Sequence, residues 1–336
     1  MHITFYKAGK IPIPPALYGG TERKICWIIR GLLELGHQVT LIANAQSHIP
    51  GVELRPPAPD ATDPAHWHRL IPPATDLVQI WDNPSVPPPK PCLLMVSGNG
   101  RPGETFPRNT VFISQHHAAN HGSRHFIHNG LDLNEYTCAE TRGDYAIFLA
   151  KARWAVKNLP GAIDVARRAG LELRVIGSRN WPLNLQRRLP AIRGVRYLGT
   201  FGGDEKHDLL ARARCLIFPI RWEEPFGIAV IEALASGCYV AATPYGSLPE
   251  IVTPAVGCLS NRVAELAAAV KNPGLFNPRV CRDRITSGGF THLDMARKFV
   301  ACYERILAHG TLGDPAEPAP ATRPGFHAKK LLPWHD

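Results

Sequence analysis

Short apolar runs and helix-spaced apolar stripes alternate along the chain, the pattern of repeated strand–helix–strand units. The run over residues 3–6 predicts a first strand, and a Pro/Gly-rich loop follows from Ile11 to Gly20. From Thr21 onward, Ile25, Ile28, Ile29, Leu32 and Leu33 recur at helical spacing, and Gly36 ends the stripe with a residue suited to the left-handed conformation. A buried-type strand is expected over 39–43, with further strands over 77–80, 93–96 and 111–113. The stretch 86–91 reads as loop, because its prolines cannot donate to a central ladder.

The alternation then restarts. Strands are expected over 145–150, 171–176, 195–197, 215–219 and 239–242, with helices over 159–168, around 206–213 and over 227–236. A late helix over 293–307 carries Met295, Phe299, Cys302, Tyr303 and Ile306 on one side. The reading is α/β throughout, in two successive domains, 1–138 and 139–309, with a boundary region near 132–145. The last helix either ends the second domain or crosses back to the first. A Pro/Ala-rich tail, 310–336, is expected to lack regular structure. Two doubly wound domains of this kind bind ligands in a crevice at the carboxyl ends of their strands.

Composition supports this picture. With 336 residues, 45% hydrophobic and 20% charged, the chain can bury two ordinary cores. No apolar run of about 18 residues predicts a membrane-spanning helix, and the N-terminus reads as a strand rather than a signal peptide. Eight cysteines are scattered without a C-x-x-C pair, which argues against a disulfide framework and a zinc site and suits a reducing cytoplasm. The formal charge of +10 favours anionic partners such as nucleotides, phosphorylated lipids or an anionic membrane face, although plain solubility accounts for it as well. No basic cluster with interleaved aromatics occurs, so nucleic acid is disfavoured.

The densest chemistry lies in Ile217–Gly237 of the sequence, where a strand runs through Arg221-Trp222-Glu223-Glu224-Pro225-Phe226-Gly227 into a helix. Backbone N–H groups of Phe226, Gly227 and Ile228 would stand at the positive end of the helix dipole, a place that holds phosphate or sugar hydroxyls. Glu224 and Glu232 flank that helix start, and both can face one ligand. Spacing alone also fits an N-terminal helix charge and a solvated Glu232. The nearly apolar surroundings, Ala229, Val230, Ile231, Ala233 and Leu234, weaken the solvated reading. Lys151, Arg153 and Lys157 follow the first strand of the second domain, where fixed cations would stabilise a departing diphosphate. A solvated surface loop is the alternative for them, and an ordinary turn is the alternative for Gly19 and Gly20.

This segment resembles the E-x7-E motif of retaining GT-B glycosyltransferases, specifically glycosyltransferase family 4 (group 1). Three further stretches carry the resemblance in order: Pro14–Arg23 is similar to the family's glycine loop, His128–Asp132 to its N-G-x-D signature, and Gly246–Val252 to its G-x-x-P-E-I-V run. The resemblance implies a GT-B fold, two Rossmann-like domains facing a central crevice. The first domain would take the acceptor and the second the nucleotide sugar. It implies transfer from a nucleotide-diphosphate donor, a UDP-sugar by preference, with retention and without metal or other cofactor. Front-face attack, with the leaving phosphate taking the acceptor proton, is the implied mechanism. Glu224 would bind sugar hydroxyls and Glu232 the ribose. Phe226, Gly227 and Ile228 would offer amides to sugar or diphosphate, with Gly19, Gly20 and Arg153 also on the donor side. Lys151 and Lys157 would stabilise the leaving group, and Glu250 would be structural or near the nucleotide.

Two departures stand out. Ala150-Lys151 occupies the place of the usual Gly-Arg, which trades a planar fork for a point charge. The first-domain strand that leads to a histidine in many relatives leads here to Ser97-Gly98-Asn99-Gly100. Asn99, His116 and His117 are therefore the acceptor-side candidates, with His121 nearby. The acceptor stays open among glycans, glycolipids and small molecules, and the location is cytoplasmic, with peripheral contact to the inner membrane face admissible. A nucleotide-sugar epimerase and a weakly catalytic sugar-nucleotide-binding protein are the competing readings.

Overall fold

The computed structural model describes residues 1–17, 19–58, 63–139, 141–177, 194–272 and 276–336. Tyr18, inside the expected glycine loop, lies outside the described residues. The chain forms two units: Met1–Leu131 with Phe290–His327, and Asp132–Gly289 with Ala328–Asp336.

The first unit is built on β1 (His2–Tyr6), β2 (Gln38–Ile42), β3 (Glu53–Leu54), β4 (Leu77–Ile80), β5 (Cys92–Met95) and β6 (Thr110–Val111). They form one sheet in the order β3-β2-β1-β4-β5-β6, and every pairing is parallel. Near-continuous burial of β1, β2, β4 and β5 follows, because crossover helices cover both faces of such a sheet. Helix α1 (Gly20–Glu34) buries Ile25, Ile28, Ile29 and Leu32, the stripe the spacing predicts. Gly36 has φ 80°, and its N–H and that of His37 close on Leu33 and Leu32 carbonyls. Helix α2 (Gln115–Asn120) starts at Ser114, whose side chain accepts from the His117 N–H. It is too short for periodicity to reveal.

The second unit repeats the plan with β7 (Tyr145–Leu149), β8 (Glu172–Ile176), β9 (Val195–Gly199), β10 (Cys215–Phe218), β11 (Tyr239–Ala242) and β12 (Gly257–Leu259). Their order, β12-β11-β10-β7-β8-β9, is again the doubly wound one, with the reversal between β7 and β10. The described helices are α3 (Leu159–Ala169), α4 (Gly203–Arg212), α5 (Ile228–Ala235), α6 (Leu248–Ile251), α7 (Val263–Lys271) and α8 (Pro278–Ser287). Asn158 takes the left-handed conformation, φ 54°, and caps α3 through the Gly161 N–H. A core of Ala146, Phe148, Val165, Leu173, Ile217 and Leu266 sits between sheet and helices.

The chain then returns to the first unit as α9 (His292–His309), which packs along α1. Gly31 makes the close approach possible: a Cβ there would lie 2.7 Å from the Ala296 Cβ and 2.8 Å from the His292 carbonyl oxygen. The division at 138/139 and 309/310 is thus displaced to 131/132 and 289/290, and α9 belongs with α1. The tail lacks helices and extended strands, as its composition implies, yet it is held in place. Leu312, Thr322 and Phe326 are buried in the first unit, and Phe106 N–H and Thr322 N–H bond Pro320 and Glu104 carbonyls. Residues 328–336 pair with the second unit through His335, whose carbonyl accepts from Val263 N–H and whose N–H bonds Asn261.

No described helix is long and apolar enough to cross a membrane. All eight cysteines are free, and Cys26, Cys215, Cys238 and Cys281 are buried. Burial pushes the Cys281 thiol up to about 12 and that of Cys238 to about 11, so neither is a ready thiolate.

Candidate functional site

In the second unit the segments after β7 and after β10 emerge at the carboxyl ends of neighbouring strands, on the two sides of the switch point. The first carries Lys151, Arg153 and Lys157; the second carries Glu224. Asn158 ties the two together by donating from Nδ2 to the Pro219 carbonyl at 2.9 Å, and Arg221 N–H bonds the Val156 carbonyl at 2.7 Å. Lys157 is thereby delivered to Glu224, with Nζ 2.6 Å from Oε2. Trp222 donates its indole N–H to the same Oε2 at 2.6 Å. Among the described residues no donor reaches the other carboxylate oxygen, Oε1.

Tryptophans organise the cations. Lys157 Nζ sits 4.6 Å from the Trp222 ring centre, and Lys151 Nζ sits 4.6 Å from the Trp154 ring centre. The two rings meet edge to face at 6.2 Å. Lys151, Lys157 and Glu224 thus form one connected cluster, while Arg153 is exposed beside it. Trp154 and Trp222 were not among the sequence candidates. Their signal was a tryptophan next to each charged loop, which composition alone does not single out.

The backbone of Glu224 is held from the far side. Ser247 N–H bonds the Glu224 carbonyl at 3.0 Å, and Ser247 Oγ donates to the Phe226 carbonyl at 2.7 Å. Gly246, φ 63°, lies so close that a Cβ would stand 2.3 Å from the Glu224 nitrogen and oxygen. The Gly246–Val252 run therefore cradles the acidic loop. Glu250 contributes its carbonyl to Arg284, at 2.9 Å. Gly227, φ 88°, caps α5, and the first turn bond there runs from Val230 N–H to the Gly227 carbonyl. Phe226 is buried and Ile228 half-buried, so backbone is what this corner has to offer a ligand.

Glu232 is 5% exposed, and the solvated reading fails. Its Oε1 accepts from Tyr136 Oη at 2.8 Å and from Lys206 Nζ at 2.5 Å. Lys206 is itself buried on α4. It falls one helical turn before the buried Leu210, and a lysine on an apolar stripe was the signal available for it. Arg282 fixes the Tyr136 backbone by donating to the carbonyls of Tyr136 and Leu133.

The remaining candidates lie in the first unit. Gly19, φ 157°, precedes α1 and is packed against Pro15, where a Cβ would stand 2.7 Å from the proline Cβ; Gly20 opens the helix. Asn99 and His116 are half-buried. His117 is fully buried, and its candidacy as an acceptor-facing group is corrected here. One ring nitrogen donates to the Gly98 carbonyl at 3.1 Å and the other accepts the Ile113 N–H at 3.4 Å. Burial drives its pKa well below the ordinary value, so it is a neutral structural imidazole. Among the described residues no group of three His, Cys, Asp or Glu side chains could hold a metal ion.

Residues 147–272 match the family model described as Glycosyl transferases group 1. A glycogen synthase of Mycobacterium tuberculosis is 32% identical over 182 residues, covering 48% of this chain and 44% of that protein. A phosphatidyl-myo-inositol mannosyltransferase of Propionibacterium freudenreichii is 27% identical over 157 residues, covering 43% of this chain and 39% of that one. The aligned parts therefore span less than half the length of these curated relatives. The crystal structure of AviGT4, a glycosyltransferase involved in avilamycin A biosynthesis, superposes with TM-score 0.76 and 25% identity over 91% of this chain and 98% of its own. Anabaena Alr3699/HepE in complex with UDP-glucose gives TM-score 0.63 at 16% identity, covering 90% and 99%. The fold is that of GT-B glycosyltransferases, two Rossmann-like units in one chain.

Proposed function

We propose that the chain is a glycosyltransferase that moves a sugar from a nucleotide-diphosphate donor, with UDP-sugars preferred, to a hydroxyl acceptor. The observation that carries this reading is the Lys157–Glu224–Trp222 cluster at the switch point, within the segment that matches the group 1 family. Glu224 offers a carboxylate oxygen to sugar hydroxyls while Lys157 and Trp222 fix the other oxygen. A carboxylate held in one orientation loses little freedom on binding, which favours a productive sugar pose.

Lys151 and Lys157, steadied on tryptophan faces, supply fixed positive charge for a diphosphate whose negative charge grows as the glycosidic bond breaks. Arg153 is an exposed third cation for the same group. The α5 corner at Phe226, Gly227 and Ile228 adds backbone N–H groups, and Gly19 and Gly20 open a second helix suited to an anion. Glu232, set by Tyr136 and Lys206, is the ribose-binding carboxylate in this reading. The preference for UDP rests on likeness to HepE, whose crystal structure contains UDP-glucose. Retention, operation without metal and peripheral membrane contact, favoured by the net charge of +10, belong to the same proposal.

The test uses the purified chain with UDP-, GDP- and ADP-sugars, reading melting temperature and nucleoside diphosphate release. A melting shift and diphosphate release with at least one donor are expected. No response to any of them overturns the reading. Product analysis with donor alone separates transfer or hydrolysis from epimerisation.

A further inference from the structure

Cysteines of the second unit gather around one arginine. Arg142 Nη2 donates to Cys138 Sγ at 3.4 Å, and Nη1 donates to Cys238 Sγ at 3.5 Å. The same guanidinium is anchored on the carbonyls of Ala213, at 2.6 Å, and Ser236, at 2.8 Å. Its third nitrogen, Nε, is buried and has no acceptor among the described residues. Gly237 leaves room for the outer sulfur, since a Cβ there would lie 2.6 Å from Cys138 Sγ. Cys138 Sγ thus touches the residue just before Cys238, whose Cα is one peptide further on, about 3.8 Å. Cys281 on α8 feels the charges of the same arginine and of both other thiols.

These cysteines differ in access. Cys138 is half-buried, whereas Cys238 and Cys281 are 0% and 1% exposed. Cys238 donates its S–H to the Leu210 carbonyl at 2.9 Å. Burial keeps it a thiol, with Arg142 acting in the opposite sense. Burial also raises the thiols of Cys92, Cys258 and Cys302, the other half-buried cysteines. A reactive cysteine needs access to solvent, a cation aimed at its sulfur and, for reversible chemistry, a second thiol beside it. Cys138 has all three.

We propose that Cys138 is a peroxide-sensitive modification site and that Cys238 is the thiol that resolves it to a disulfide. The Cys138 sulfur attacks one oxygen of hydrogen peroxide. An S–O bond forms, the O–O bond breaks, and the departing hydroxide takes the Cys138 proton and leaves as water. The vacant N–H of Arg142 stands on the same guanidinium to hold the new oxygen. Cys238 Sγ then attacks Cys138 Sγ, the S–O bond breaks, and the hydroxyl leaves with the Cys238 proton as a second water. Two thiols are oxidised by two electrons and one peroxide is reduced to two waters. The bond joins the segment carrying Tyr136 to the residue that follows the end of α5, so the two elements that hold Glu232 become covalently tied. This chemistry is independent of sugar transfer.

The experiment treats the fully reduced chain with near-stoichiometric hydrogen peroxide and reads intact mass and peptide maps. The wild type is expected to lose two hydrogens, to yield a linked Cys138–Cys238 peptide, and to return to free thiols with dithiothreitol. Cys238→Ala should stop at a sulfenic acid on Cys138, which dimedone traps. Cys138→Ser should give neither product. Oxidation at Cys138 should run at least about tenfold faster than at Cys92, Cys258 or Cys302. The wild-type map involves no substitution, so the folding of a variant does not decide the outcome. Equal rates at the four half-buried cysteines overturn the proposal. So does a wild type that stops at the sulfenic acid, or one that links Cys138 to Cys281 or to a second chain.

Discussion

Lys157 and Glu224, 67 positions apart in the sequence, meet at 2.6 Å because an asparagine in the left-handed conformation turns the chain between them. Both side chains are about nine-tenths buried. Removing one partner leaves the other charged and poorly solvated, at a cost of about 3–5 kcal/mol. Glu224→Gln and Lys157→Met are expected to lower the melting temperature by about 5–10 °C and UDP-sugar turnover by at least about 100-fold. Wild-type turnover in both variants would remove this pair from the site.

Trp222→Phe isolates the indole N–H. The ring still shields Lys157, but Oε2 of Glu224 loses a donor. A loss of about 1–3 kcal/mol in transition-state stabilisation is expected, roughly 5- to 150-fold in kcat/KM. Steady-state kinetics with the best donor from the panel reads it, and an unchanged kcat/KM contradicts it.

Gly246→Ala tests the cradle. The added carbon would press on the Glu224 backbone at 2.3 Å, at a φ of 63° that disfavours any side chain. Activity should fall together with melting temperature. Gly36→Ala, at a helix end with open space, should lower melting temperature alone, by about 1 kcal/mol equivalent.

Acid stability follows from the buried imidazoles. His117 and His121 both have pKa values lowered by burial, so the unfolded chain binds protons that the folded chain does not. Stability contributed by neutral His117 is fully present above the ordinary histidine value of about 6.5 and is lost as pH falls below it. His117→Gln should flatten the decline in melting temperature between about pH 6.5 and 5. An unchanged slope would mean that the imidazole does not control it. Lys24 acts in the same sense at higher pH, with stability rising from about 7 toward the ordinary lysine range.

Periodicity revealed most of the long elements because burial enforces it: the α1 stripe and the fully buried β4, β10 and β11 can hardly be read otherwise. It did not reveal α2, α6 or β12, which are too short to complete a period. Nor did it reveal α7 and α8, whose apolar positions are sparse or alanine-rich. Glu224, Glu232, Lys151 and Lys157 were legible as charged residues next to strand ends and a helix start. Their supports, Trp222, Tyr136, Lys206 and Ser247, were not, because each becomes meaningful only when the fold brings distant segments together. His117 misled for the same reason. Its neighbours in space, Ile113 and Gly98, consume both ring nitrogens, and no local pattern announces that.

The chain passes between its two units at 131/132, 289/290 and 327/328. During synthesis, the first unit therefore waits for α9 and for the segment through His327 before its packing is complete. The second unit waits longer still, since residues 328–336 supply Trp334 to its core and the partner strand segment of Arg262. Both sheets have all their strands by Leu259, yet the packing around each waits for segments made later. Folding yield should thus respond to changes in residues 311–336, and a stop between codons 311 and 327 strips both units at once.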